Sequence, residues 1–249
     1  MTYRFKRKES VPKAVRRIVS EQSQKAALEL GGGNPDIHDG VHNARKCFKK
    51  IRSALRLVRG GLGNRVYRRE NGWFRDAGRQ LSAVRDAEAM IETYDRLAER
   101  YPDIAECSSL HVLREALVQR RQRIAQDEQD LEGQAHALAR ELEDVPSRAA
   151  DWPLTHNGFA ALAPGLERSY RRGRKAFEKA YRKPSDERFH EWRKRVKDYW
   201  YHTRLLGRSW PEFMESRISE LKDLADLLGD DHDLAVLQQT RLGGRGARG

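Results

Sequence analysis

One pattern constrains this chain more than any other: a basic, His-led octapeptide that returns 148 positions later. His42-Asn43-Ala44-Arg45-Lys46-Cys47-Phe48-Lys49 is matched by His190-Glu191-Trp192-Arg193-Lys194-Arg195-Val196-Lys197, and Arg56-Leu57 by Arg204-Leu205 in the same register. Further along, at an offset of 147, Arg75-Asp76 matches Lys222-Asp223, Leu81 matches Leu228, and Arg85-Asp86 matches His232-Asp233. Upstream, Lys13, Arg16 and Arg17 have the spacing of Arg168, Arg171 and Arg172. Self-similarity at a fixed offset marks a duplicated structural unit. The chain reads as two homologous helical halves, about 10–144 and about 155–241, within a single domain over 1–241. The second half is short at its C-terminal end, because only Leu234–Leu242 and a Gly/Arg tail follow Asp233. That tail, 243–249, reads as disordered.

The units are helical. Apolar residues recur at helical spacing from Val11 to Leu30, where Gly31-Gly32-Gly33 and Asn34-Pro35 stop the pattern. Further helices are expected over about Ile37–Val58, Tyr67–Tyr101 and Ser109–Leu142. After Trp152-Pro153 one is expected up to about Arg182. Ser185 or Asp186 is placed to N-cap the next, which runs to about Leu206. Pro211 suits the first turn of another, and a last short helix is expected after Asp230 or Asp231. Charged residues are 35% of the chain, and Leu, Ala, Arg, Glu and Lys dominate, which supports an all-α class. The architecture expected is two homologous helical halves.

Forty-nine Lys and Arg against 37 Asp and Glu give a net charge of +12, and such a surplus attracts polyanions. The two cysteines, Cys47 and Cys107, lack any paired ligand spacing, so free thiols in a reducing cytoplasm are expected. No apolar run approaches the ~20 residues of a membrane span, and the basic N-terminus lacks the apolar core of a signal peptide.

The charge is organised on faces. At about 100° per residue, His42, Arg45, Lys46, Lys49, Arg52 and Arg56 fall within an arc of roughly 120°, with Ala44, Phe48, Ile51, Leu55 and Val58 opposite. No acidic residue lies between Val41 and Arg59, so the usual i,i+4 neutralisation is missing there. His190, Arg193, Lys194, Lys197, Tyr201 and Arg204 form a second arc. Arg168, Arg171, Arg172, Lys175 and Lys179 form a third on the preceding helix. A single stripe of this kind is often only a solvated face; its repetition in register favours a bound anion that offsets the repulsion. Arg offers a planar fork for phosphate and Lys a mobile point charge, which suits a flexible phosphate chain read by charge.

His42 and His190, one turn before an Arg-Lys pair, have two readings: a helix-start or interhelix hydrogen bond, or a contact to the anion. Arg85, Asp86, His232 and Asp233 sit at matched places in the halves and are read as structural or orienting groups. No metal and no cofactor are expected. P-loop, H-E-x-x-H, G-x-S-x-G and Cys-x-x-Cys motifs are all missing, so the chain reads as a non-enzyme. Asp230-Asp231-His232-Asp233 invites comparison with helical His-Asp phosphohydrolases, but no Asp follows Asp233 to complete such a site.

The paired H-x-x-R-K-x-x-K motifs, with Arg85-Asp86 and Leu228-Gly229-x-x-His232-Asp233, resemble the CHAD family, the conserved histidine α-helical domain; the likeness covers nearly all of residues 10–240. The resemblance implies two helical bundles related by an approximate two-fold axis, about a central basic channel or groove that binds inorganic polyphosphate, in modules that localise to or organise polyphosphate bodies. It implies contacts from His42, Arg45, Lys46, Lys49, Arg52 and Arg56, and from His190, Arg193, Lys194, Lys197 and Arg204. It also implies additional contacts on the preceding helices from Arg16, Arg17, Arg171, Arg172 and Lys175. Two other readings stay open: a nucleic-acid module on the same faces, weakened by few aromatics there, and a metal-dependent phosphohydrolase using Asp86 or Asp233. The short second half also leaves room for completion by another copy of the chain.

Overall fold

A computed structural model gives the fold over residues 3–81, 83–101, 108–127 and 130–243; the side chains of 82–86, 102–110, 125–129 and 240–249 lie outside the described residues. Helix α1, Val11–Leu30, starts where the Ser10 hydroxyl accepts from the Lys13 amide, and ends where the Gly31 amide returns to the Ala27 carbonyl. Helix α2, Ile37–Leu57, is capped by Asp36, whose carboxylate accepts from the amides of His38 and Asp39. These caps satisfy amide groups that the first turn leaves without partners. The two helices pack along their length, with Val15, Ile18, Ala26 and Leu30 of α1 meeting Ala44, Phe48, Ile51 and Leu55 of α2 in the main core. Each large side chain so buried contributes on the order of 1.5–3 kcal/mol, which is why the apolar face of α2 turns inward and its basic face outward.

Helix α3, Arg59–Gln80, is broken at Gly63, whose φ of 72° lies in the left-handed region open to glycine. Beyond the break, Phe74 packs on Phe48 of α2, ring centroids 5.9 Å apart. Helices α4, Ala83–Arg100, and α5, Ser108–Asp127, pair with one another through Ile91, Tyr94 and Leu117. Helix α6, Leu131–Glu143, capped by Asp130, and the short α7, Val145–Ala150, return to α1. A single 3-10 turn, Phe159–Ala161, leads into α8, Ala163–Arg182. Next come α9, Asp186–Leu205, and α10, Pro211–Gly243.

The last three helices pack as consecutive neighbours around Ala176, Ala180, Trp192, Val196, Leu221, Ala225 and Leu228. Their union with the first part of the chain is made by α9. Its Tyr201 and Leu205 enter the main core, and its His202, fully buried, bridges from Ser53 of α2 to Ser169 of α8. Near the same place Gly165 of α8 lies so close to α2 that a Cβ there would stand 1.9 Å from the Leu57 carbonyl oxygen. At its far end α10 reaches α4, where Leu237 joins Ile91 and Tyr94.

The described residues are all-helical apart from turns and connections, with no strand among them. None of their helices is long and apolar enough to cross a membrane. Three expected boundaries differ. The helix expected over 67–101 is interrupted at Leu81, and the one over 109–142 is two helices, α5 and α6. The stop expected near Asp230 does not occur, and α10 runs unbroken from Pro211 to Gly243. A glycine inside a helix costs only about 1 kcal/mol, and packing of Leu228, Ala235 and Leu237 on either side of Gly229 offsets it. Cys47 is a buried free thiol; Cys107 and residues 244–249 of the tail lie outside the described residues.

Candidate anion-binding cavity

Between α2, α4, α5, α9 and α10 lies a cavity of about 1010 Å³. Helix α2 contributes His42, Arg45, Lys46 and Lys49, a spacing of one turn and then another that keeps one face toward the space, and Lys50 beside them. Helix α9 contributes His190, Arg193, Lys197 and Arg204 with Trp200 and Tyr201. The remaining wall comes from α4 with Met90, Thr93 and Arg96, from α5 with Arg120, and from α10 with Lys222, Asp226, His232 and Asp233. Ten Lys and Arg face this space against three carboxylates, Glu92, Asp226 and Asp233, so its field is strongly positive.

Among the described residues, Lys50, Arg193, Lys197 and Arg204 of this lining have no carboxylate within ion-pair distance. Burial first, and the neighbouring Arg193 second, push the Lys197 ammonium below its ordinary value. Burial does the same to Lys50. The Nε of Arg193 is buried with no hydrogen-bond partner, and its guanidinium lies over Gly229 of α10, where a Cβ would come 3.4 Å from Nη2. Arg204 is stacked on Trp200, 4.7 Å from the ring centre, with Tyr3 and Tyr201 farther out at 5.7 and 6.0 Å. Desolvated cations with unused N–H groups raise the energy of the empty cavity, and an anion with many oxygen acceptors lowers it. Elsewhere the charge is balanced. Lys222 pairs with Asp226 at 2.7 Å, and Arg96 reaches Asp230 and Asp233 at 3.7 and 3.6 Å.

His190 and His232 stack across the junction of α9 and α10, ring centroids 3.9 Å apart. Burial, then the adjacent His232, hold His190 down at about 4; burial and Arg193 lower His232 as well. Both imidazoles are therefore neutral near pH 7. The His190 Nδ1 is buried without a partner, a vacant position for an acceptor if it carries the proton. Among the described residues no group of three His, Cys, Asp or Glu side chains is arranged to hold a metal ion.

Comparison with known proteins decides the family, since the CHAD domain matches residues 14–242. The chain belongs to the CHAD domain family. Its curated relatives include two uncharacterized proteins of Mycobacterium tuberculosis, Rv2226 and MT2285 in two strains, each 27% identical over 240 residues. The match covers 90% of this chain and 44% of each relative, so the chain spans less than half of their length. No solved structure matches it.

Of the basic residues singled out in the sequence of this CHAD chain, the cavity gathers His42, Arg45, Lys46, Lys49, His190, Arg193, Lys197 and Arg204. The others point elsewhere. Arg16 donates to the carbonyls of Ala149 and Trp152 and so closes the C-terminal end of α7. Arg17 is clamped by Glu9 and Glu21 at 2.7 and 3.2 Å. Arg52 donates to Asn71 and is pushed down to about 10 by burial. Arg56 pairs with Asp198 at 2.6 Å, Lys194 with Glu191 at 2.6 Å, and Arg171 with Glu167 at 3.0 Å. Arg172 and Lys175 are exposed on α8 away from the cavity lining. His232 and Asp233 line the cavity, whereas the side chains of Arg85 and Asp86 lie outside the described residues.

The arc on α2 is split by a crossing. Helix α9 passes over α2 at Ser53, whose carbonyl accepts from His202 Nε2 at 2.9 Å. His42, Arg45, Lys46 and Lys49, before Ser53, face the cavity, whereas Arg56, about 10 Å farther along the axis than Lys49, falls on the other side of α9. Lys50, Arg96 and Arg120 were not singled out in the sequence, and Lys222 appeared there only as the match of Arg75. Lys50 had a signal, as it directly follows Lys49 in a segment free of acids, but Arg96 and Arg120 have no counterpart in the repeat.

Proposed function

We propose that this CHAD chain binds inorganic polyphosphate without turning it over, and that it serves to localise to or organise polyphosphate bodies. The observation that carries the reading is that both His-led basic motifs, 148 residues apart in sequence, line one cavity in which cations outnumber carboxylates ten to three. A linear chain of phosphates has the acceptors to satisfy the buried Arg193 Nε and the desolvated Lys197 and Lys50, and it releases counterions on binding. On this reading α1–α2 and α8–α9 are the two copies of the duplicated unit, related by an approximate two-fold axis that passes between α2 and α9.

A single-stranded nucleic acid offers the same phosphates, but base stacking wants open aromatic faces. Trp200, a large aromatic on the cavity wall, stacks with Arg204, and Tyr201 lies edge-on to Tyr3. Calorimetric titration of long-chain polyphosphate and of single-stranded DNA of equal charge, at two salt concentrations, separates the cases. Tight, salt-sensitive polyphosphate binding with weak DNA binding is expected; equal binding of both would reduce the cavity to a nonspecific positive field.

A further inference from the structure

On the far side of the α9 crossing is a second cationic site. Arg56 and Arg59 from the end of α2 and the start of α3, Arg168 and Arg172 from α8, and Arg195 from α9 converge there on one carboxylate, Asp198. Asp198 is shared: Arg56 reaches one oxygen at 2.6 Å and Arg195 the other at 3.2 Å, while Arg195 also holds Glu191 at 2.8 Å. Arg59 is turned onto the Tyr67 ring at 4.6 Å. Among the described residues, Arg168 and Arg172 have no carboxylate within ion-pair distance. Arg172 sits close enough to Arg195 and Arg56 that their charges, after burial, lower its affinity for its own proton.

We propose that this pocket is a separate binding site for a single small oxyanion of the phosphate class, distinct from the cavity that holds both His motifs. Five guanidinium groups against the carboxylates of Asp198 and Glu191 leave a local excess of positive charge that these carboxylates do not neutralise. Guanidinium forks suit tetrahedral oxyanions, to which they donate in pairs. The Ser169 hydroxyl lines the same pocket. It is tied to the buried His202, whose Nε2–H donates to the Ser53 carbonyl and whose Nδ1 accepts from Ser169, since burial keeps the ring neutral by holding it down at about 4. The enclosed space is only about 20 Å³, room for about one water, so a small anion would sit at its mouth between the exposed Arg168 and Arg172, and no polymer enters. The site stands on its own geometry and does not depend on what fills the large cavity.

The test is thermal unfolding of the full chain in rising orthophosphate against sodium chloride of matched ionic strength, with calorimetry on the same samples. Orthophosphate should raise the Tm saturably where chloride does not. Replacing the two exposed arginines, Arg168→Gln with Arg172→Gln, should weaken the orthophosphate effect at least about tenfold, as expected when two charge-assisted contacts are lost. That variant should melt as the parent does without phosphate and keep its affinity for long-chain polyphosphate. The cavity variant Arg193→Ala with Lys197→Ala should retain the orthophosphate response. An equal effect of chloride, or an orthophosphate response that survives Arg168→Gln with Arg172→Gln, overturns the site. A parallel loss of polyphosphate binding in that variant would make the pocket part of one continuous track and overturn its separateness.

Discussion

The imidazoles of His190 and His232 lie one over the other, 3.9 Å between ring centroids with planes tilted by 35°. Two stacked rings cannot both take a proton without repulsion, and burial already holds His190 near 4. Unfolded, these histidines and His202 titrate at their ordinary value of about 6.5, so between 6.5 and 4 the unfolded chain binds more protons. The histidine contribution to stability is then fully present above pH 6.5, falls as pH drops toward 4, and levels off below. Urea unfolding at pH 7 and pH 5 should show the loss, and His190→Gln should lessen it; a parent chain equally stable at both would contradict the assignment. A polyanion favours the protonated rings, so polyphosphate affinity should rise over the same fall in pH and rise less in His190→Gln.

Removing cations from either motif should weaken binding without unfolding the chain. Arg193→Ala with Lys197→Ala, or Arg45→Ala with Lys49→Ala, is expected to lower the steepness of the salt dependence by about two, roughly one per lost phosphate contact, by analogy with DNA. Arg16→Ala, by contrast, should leave the slope alone and lower the melting temperature, because its guanidinium serves the carbonyls of Ala149 and Trp152. Binding isotherms at three salt concentrations distinguish the two classes.

Gly229 leaves room for Arg193. A Cβ there would stand 3.4 Å from Nη2, an ordinary contact, so Gly229→Ala should bind and melt much as the parent does. A longer side chain occupies the guanidinium's place. Gly229→Leu is therefore expected to lower polyphosphate affinity by an amount similar to Arg193→Ala, with the helix content by circular dichroism unchanged.

The contact between α8 and α2 is more severe. At Gly165 the first added carbon would collide with the Leu57 carbonyl, and backbone has no rotamer by which to yield. Gly165→Ala should cost about 3 kcal/mol or more, read from denaturant midpoints. His202→Ala, which removes the link between Ser53 and Ser169 and leaves a void, should cost about 2–4 kcal/mol. A neutral outcome for either would mean that α8 and α9 sit on α2 more loosely than described.

Much of the helical order was legible because local rules sufficed. Gly31 stops α1 where its apolar period ends, and the 33-residue α10 was missed only in expecting a separate short helix after Asp230 or Asp231. The cavity was legible in half. His42, Arg45, Lys46 and Lys49 share a face by spacing alone, but which part of a long basic arc meets a partner helix is decided by the tertiary crossing at Ser53. Arg56 belongs by period with Lys49 and by contact with Asp198, 142 residues away. Arg16 likewise keeps the spacing of a stripe while its partners, the carbonyls of Ala149 and Trp152, carry no signature in side-chain chemistry.

The way α9 lies on α2 also fixes an order of assembly. Among the described residues the main core draws chiefly on residues 3–162; from beyond them come the buried Tyr201 and Leu205, with Leu166, Trp200 and Leu206 packed against it. Helices near the N-terminus can therefore collapse on one another while the chain is still being synthesised, ahead of the contact between His202 and Ser53, which closes a loop of 149 residues. Pulse-labelled hydrogen exchange should find amides of 44–55 protected before those of 192–205. Until Leu205 has left the ribosome the basic face of α2 lacks the wall that α9 supplies, and the cavity between the two His motifs is the last thing the chain makes.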